Sequence, residues 1–137
     1  MRKILLSLLI AFTIFGASAQ NSNRKVVIDV TSTDFKVYQS VLLTVKIIAE
    51  NQPNTQIDVI AYGEAVPMLM KNRSAVAAEI VKYVEFKNVS FTACEISMSL
   101  FNIKKEQLLH GVQTVHNAVD TILDKQKGGW GYLKAGN

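Results

Sequence analysis

The segment Lys25 to Thr31 (KVVIDVT) narrows the fold more than any other. Between Val26 and Val30 every residue is apolar except Asp29. A strand without polar–apolar alternation has to be covered on both faces, as happens in a parallel sheet held between helical layers. The rest of the chain alternates to match. Thr31-Ser32-Thr33-Asp34 supplies helix N-caps, and Tyr38, Val41, Leu42, Val45, Ile48 and Ala49 then recur along one helical face. Gln56 to Tyr62 is a second strand, stopped by Gly63, and Ala65 to Met70 a short helix. Ser74 caps a further helix with Ala77, Ile80, Val81 and Val84 inward. Asn88 to Ala93 is the third strand, leading into a short helix from Cys94 to Phe101. A helical turn over Lys104 to Leu109 precedes a fourth strand, Val112 to Val115. Asn117 caps the last helix, with Val119, Ile122 and Leu123 inward, and Trp130 to Leu133 closes the sheet. This order predicts an α/β fold, a three-layer α/β/α sandwich with a five-stranded, mostly parallel sheet.

Ahead of that domain stands a segment of another kind. Arg2 and Lys3 precede an apolar run from Ile4 to Phe15, and Ala17-Ser18-Ala19 forms an A-x-A site before Gln20. Positive start, apolar run and small-residue site in that order describe a secretory signal peptide. The run is shorter than the roughly 20 residues of a membrane span. Residues 1–19 are therefore expected to be removed, leaving a domain over 20–137 that is periplasmic or secreted and not membrane-bound. The net charge of +4 falls by two with Arg2 and Lys3, to +2. No basic run interleaved with aromatics occurs, so nucleic acid is not an expected partner.

In an open parallel sheet, ligands bind beyond the carboxyl ends of the strands. The residues at those ends are Thr31 and Ser32, Gly63 and Glu64, Cys94, and His116 with Asn117. Cys94 is the only cysteine and cannot form a disulfide within its chain. It opens a helix, where unpaired backbone N–H groups favour the thiolate, the reactive form. Thr92 and Glu95 have capping-box spacing, while the charge of Glu95 opposes ionisation. Position alone suits a reactive thiol and an inert, buried one equally. His116 is either a proton partner of Cys94 or, more plainly, an exposed histidine beside a helix cap. Glu64 either lines the same pocket or simply occupies a first helical turn. One Cys with two scattered His residues lacks metal-ligand spacing, and no phosphate loop or other cofactor motif is present.

The stretch Val89 to Cys94 (VSFTAC), with Met98 following, resembles the cysteine segment of the DsrE/DsrF-like family. Val59-Ile60-Ala61-Tyr62-Gly63 is similar to the family's strand leading to a glycine. Gly111-Val112, Ala118-Val119 and Gln126 to Leu133 (QKGGWGYL) look like its ending. The resemblance runs over essentially all of residues 20–137. It implies a three-layer α/β/α sandwich, a homotrimer or homohexamer, and, as in sulfur-relay members, a persulfide on the cysteine aligned with Cys94. Two places depart from the family pattern. His116-Asn117 stands where relatives often carry proline and small residues, and Glu95 where glycine is common.

Two functions are therefore in view. In the first, Cys94 accepts sulfur from a donor and passes it to an acceptor, either proteins or small thiols, with Ser97 donating a hydrogen bond. A single cysteine suits a relay, since no resolving thiol discharges it. That reading requires the sulfur to lie open to solvent. In the second, the protein is a non-catalytic oligomeric ligand-binding or interaction module of the cell envelope, and Cys94 only packs. A flavin or nucleotide binder is a third option, by analogy of fold alone.

Overall fold

The computed structural model describes residues 23–136, so the proposed signal segment lies outside the described residues. Five strands, β1 (Lys25–Val30), β2 (Gln56–Ala61), β3 (Val89–Cys94), β4 (Gln113–Val115) and β5 (Gly131–Ala135), form one sheet. Their order across it is β4-β3-β2-β1-β5, and every neighbouring pair is parallel. The helices are α1 (Phe35–Asn51), α2 (Ala77–Val84), α3 (Glu95–Leu100) and α4 (Ala118–Lys127), with 3₁₀ turns at Gly63–Leu69 and Lys105–Gln107. Asp34 caps α1 by accepting from the Lys36 N–H at 2.8 Å.

The absence of alternation in the strands has its predicted cause. Ile28 and Val30, Ile57, Val59 and Ala61, and Val89, Phe91 and Ala93 point to one side. There they pack with α1, α2, Met98 of α3 and the Gly63–Leu69 turn. Val27, Ile60 and Cys94 point to the other side and pack under Ala118 and Ile122 of α4. From β1 the chain steps outward through β2 and β3 to β4, then returns across the sheet through α4 to β5, on the far side of β1. Among the described residues, that return leaves one helix, α4, covering the second face.

Several local expectations are corrected. In α2 the buried residues are Ile80 and Tyr83, while Val81 is exposed. At 100° per residue the buried arc centres between Ile80 and Tyr83, which carries Val81 aside. In α4 the buried residues are Ala118 and Ile122, and Val119 and Leu123 are about half exposed, at 49% and 50%. The arc is turned this way because Lys125 faces inward, its Nζ 2.9 Å from Asp58 Oδ2 and 3.8 Å from the centre of the Trp130 ring. Ser74 does not cap α2: its hydroxyl accepts from Val76 N–H, and the helix begins beyond that turn. Thr92 and Glu95 form no capping box. β3 runs on to Cys94, so Thr92 is still a strand residue, and its hydroxyl donates to Asp58 at 2.7 Å. Trp130 precedes β5 and does not open it; its N–H turns back to the Lys125 carbonyl.

Candidate functional site

Cys94 ends β3 and stands immediately before α3. Its sulfur lies where two helices begin. The Ala118 N–H, at the start of α4, donates to Sγ at 3.4 Å. The thiol in turn faces the His116 carbonyl at 3.8 Å, and the Ile96 N–H donates to that same carbonyl at 3.2 Å. Burial pushes the thiol pKa up. The backbone N–H groups of Ser97 and Ala118, the Ser97 hydroxyl and the Ile96 N–H outweigh it, and the net effect holds the thiol below its ordinary value.

The sulfur is not open to solvent as the relay reading required: Cys94 is 4% exposed. The cause is α4, which crosses the sheet face and seats Ala118 and Ile122 beside Cys94, with Tyr62 and Trp130 at the edge of the cluster. The environment is apolar on the α4 side and rich in N–H donors at the helix starts.

The candidate residues sort into three groups. Ser97 and Gly63 join Cys94. The Gly63 N–H donates to Ser97 Oγ at 2.8 Å, so one hydroxyl links the end of β2 to the sulfur. Gly63 sits at φ +58°, a left-handed conformation that suits glycine and aims its N–H at Ser97. His116 and Asn117 take part through the backbone and through helix capping. The His116 side chain is 84% exposed, with Nδ1 4.0 Å from Glu95 Oε2, and it is the His116 carbonyl that reaches the thiol. The Asn117 carboxamide oxygen accepts from Val119 and Asp120 N–H, fixing the start of α4 that presents the Ala118 N–H. Glu64 falls elsewhere, in a cavity beside Tyr38 and Arg73.

Glu95 opposes ionisation less than its position suggests. Its carboxylate receives Lys105 Nζ at 2.9 Å and the Thr114 hydroxyl at 2.7 Å, and these two hold its pKa down. Among the described residues no group of three or more His, Cys, Asp or Glu side chains is placed to hold a metal.

Sequence reasoning missed the polar network beside this site. Asp29 is buried and accepts from Tyr132 Oη at 2.6 Å, Tyr62 Oη at 3.3 Å and Lys134 Nζ at 2.9 Å; Lys134 also reaches Thr31. Tyr62 is raised by burial, then by Asp29, and finally by the charge of Cys94, so its phenol lies within the field of the sulfur. The signal was present: a carboxylate inside a strand buried on both faces demands partners.

Solved structures share this architecture. A protein of unknown function, MTH1491 from Methanobacterium thermoautotrophicum, matches with a TM-score of 0.77 at 23% identity, over 81% of this chain and 98% of that one. The ychN protein of E. coli matches at 0.67 and 15% identity, over 81% and 98%. A conserved protein of unknown function, BT1422 from Bacteroides thetaiotaomicron, matches at 0.65 and 18% identity, over 85% and 98%. At such identities the likeness shows the fold alone. No curated protein matches the chain. The model of the DsrE/DsrF/DrsH-like family matches residues 10–128, and the chain belongs to that family.

Proposed function

We propose that this protein is an exported sulfur carrier of the DsrE type, holding sulfane sulfur as a persulfide on Cys94. One observation carries the reading: the sulfur sits among N–H donors from two helix starts and the Ser97 hydroxyl, an arrangement that favours an anion on sulfur. The Cys94 thiolate attacks the outer sulfur of a donor R–S–SH. The S–S bond of the donor breaks, R–S⁻ leaves, and the new Cys94–S–SH keeps the donor's proton. Attack by an acceptor thiolate on the outer sulfur returns Cys94 as thiolate. Cys94 is 4% exposed, so the open sulfur that the relay requires is not present at rest; loading needs a local opening at the start of α4, which fits small persulfides, polysulfides and thiols in preference to the surface of a folded protein. Export rests on the N-terminal pattern of residues 1–19.

A second reading, an envelope module in which Cys94 only packs, draws on the same burial and on the apolar neighbours Val27, Ile60 and Ile122. One experiment separates them. The protein is treated with inorganic polysulfide and its intact mass measured. The carrier gains one sulfur atom, mapped to Cys94, released by a small thiol and absent in Cys94→Ser. If the mass does not change while the fold stays intact, the carrier reading fails and the packed thiol stands.

A further inference from the structure

A cavity of about 470 Å³ opens at the carboxyl edge of the sheet and does not include Cys94. Four segments build it. Phe35 and Tyr38 come from the first turns of α1, and Glu64 and Pro67 from the turn after β2. Arg73 lies in the loop before α2, and Phe101 follows α3. The volume is that of a small-ligand pocket, and its place beyond β1 and β2 is where parallel sheets bind ligands.

The cavity holds one side chain of each charge, Glu64 and Arg73, both exposed. Asp29, Asp58 and Glu95 each hold a lysine at 2.9 Å. Glu64 and Arg73 share the cavity, yet among the described residues neither side chain makes a hydrogen bond or an ion pair. The Arg73 charge is near enough to act on the phenol of buried Tyr38, which lines the same cavity. One unanswered cation and one unanswered anion, set among three aromatic rings, disfavour a simple anion or a simple cation. Each would meet one like charge.

The geometry points to a binding site for a small zwitterion with an apolar or aromatic body. Its carboxylate pairs with Arg73, its ammonium with Glu64, and its body rests on Phe35, Tyr38 and Phe101. The guanidinium fork suits a carboxylate, and the rings suit an apolar side chain. Free apolar amino acids have this chemistry. The site does not depend on the state of Cys94.

The test is an NMR titration of isotope-labelled protein with L-phenylalanine and L-leucine. Saturable shifts are expected at the amides of Phe35, Glu64, Arg73 and Phe101. Arg73→Gln should weaken L-phenylalanine about tenfold or more, and Glu64→Gln should do likewise. Both residues are exposed, so the variants keep the fold, and the unshifted remainder of the spectrum checks this. 3-Phenylpropionate and phenethylamine, each lacking one charge, should bind at least about tenfold more weakly than L-phenylalanine. The site is overturned if neither amino acid shifts those amides. It is equally overturned if the two single-charge analogues bind as well as L-phenylalanine, or if binding survives Arg73→Gln unchanged.

Discussion

Ser97 shows how one side chain can serve two elements. Its hydroxyl accepts from Gly63 N–H and supports the Cys94 thiolate. Ser97→Ala should raise the Cys94 pKa, read as a shift of the ultraviolet thiolate titration to higher pH. Gly63→Ala leaves space for its methyl but strains a backbone at φ +58°, so a cost of about 1 kcal/mol is expected in denaturant unfolding. Tyr132 gives a prediction with a definite sign. Its hydrogen bond to Asp29 pushes its pKa from 10.0 up to about 12. The folded state favours the neutral phenol. The contribution to stability is therefore complete below pH 10 and is lost as pH rises toward 12. Asp29→Asn should bring Tyr132 ionisation back toward the ordinary range in an absorbance titration and remove that alkaline dependence. Cys94, Ser97 and Gly63 were legible from sequence because a strand end, a helix start and a glycine each leave a local mark. The phenols on Asp29 were not, because residues 29, 62 and 132 meet only through strand pairing.

At the scale of elements, α4 decides the most. Among the described residues it is the one helix over the second sheet face, and it is tied down by Ala118, Ile122 and the Lys125–Asp58 pair. Asp58 is buried, so Asp58→Asn removes a charge from Lys125 where little water reaches. The cost in urea unfolding should fall below the roughly 3–5 kcal/mol of a fully buried broken pair, since Lys125 keeps 22% of its side-chain exposure. The strands could be placed from sequence because both-face burial leaves an unbroken apolar run. The phase of α2 and α4 could not. Apolar residues on a short helix define more than one possible arc, and Lys125 chose the arc in α4 through a partner on β2 that no periodicity reveals. Thr92 was rightly placed in the third strand, but its capping-box spacing with Glu95 misled for a similar reason: its hydroxyl is bonded to Asp58 on the neighbouring strand.

For the whole molecule, the alternation of strands and helices carried the fold class, and every neighbouring strand pair is parallel. Strand order was not legible, because each crossover may run to either side of the strand it leaves. The exposed apolar side chains gather on outer surfaces: Leu43 and Ile47 on α1, Ile96 and Leu100 on α3, Val119 and Leu123 on α4. We propose that a homotrimer or homohexamer, as the family resemblance implies, covers part of this surface. Light scattering after size exclusion should give a mass several times that of one chain; a monomer at micromolar concentration would contradict this. The account as a whole rests on Cys94 being an acidified thiol despite its burial. The direct measurement is the ultraviolet thiolate absorbance of the wild type, with Cys94→Ser as the blank, followed across pH. The account predicts a midpoint below the ordinary value of 9.0; a midpoint at or above it would contradict the anion-stabilising role of the two helix starts and leave Cys94 as packing.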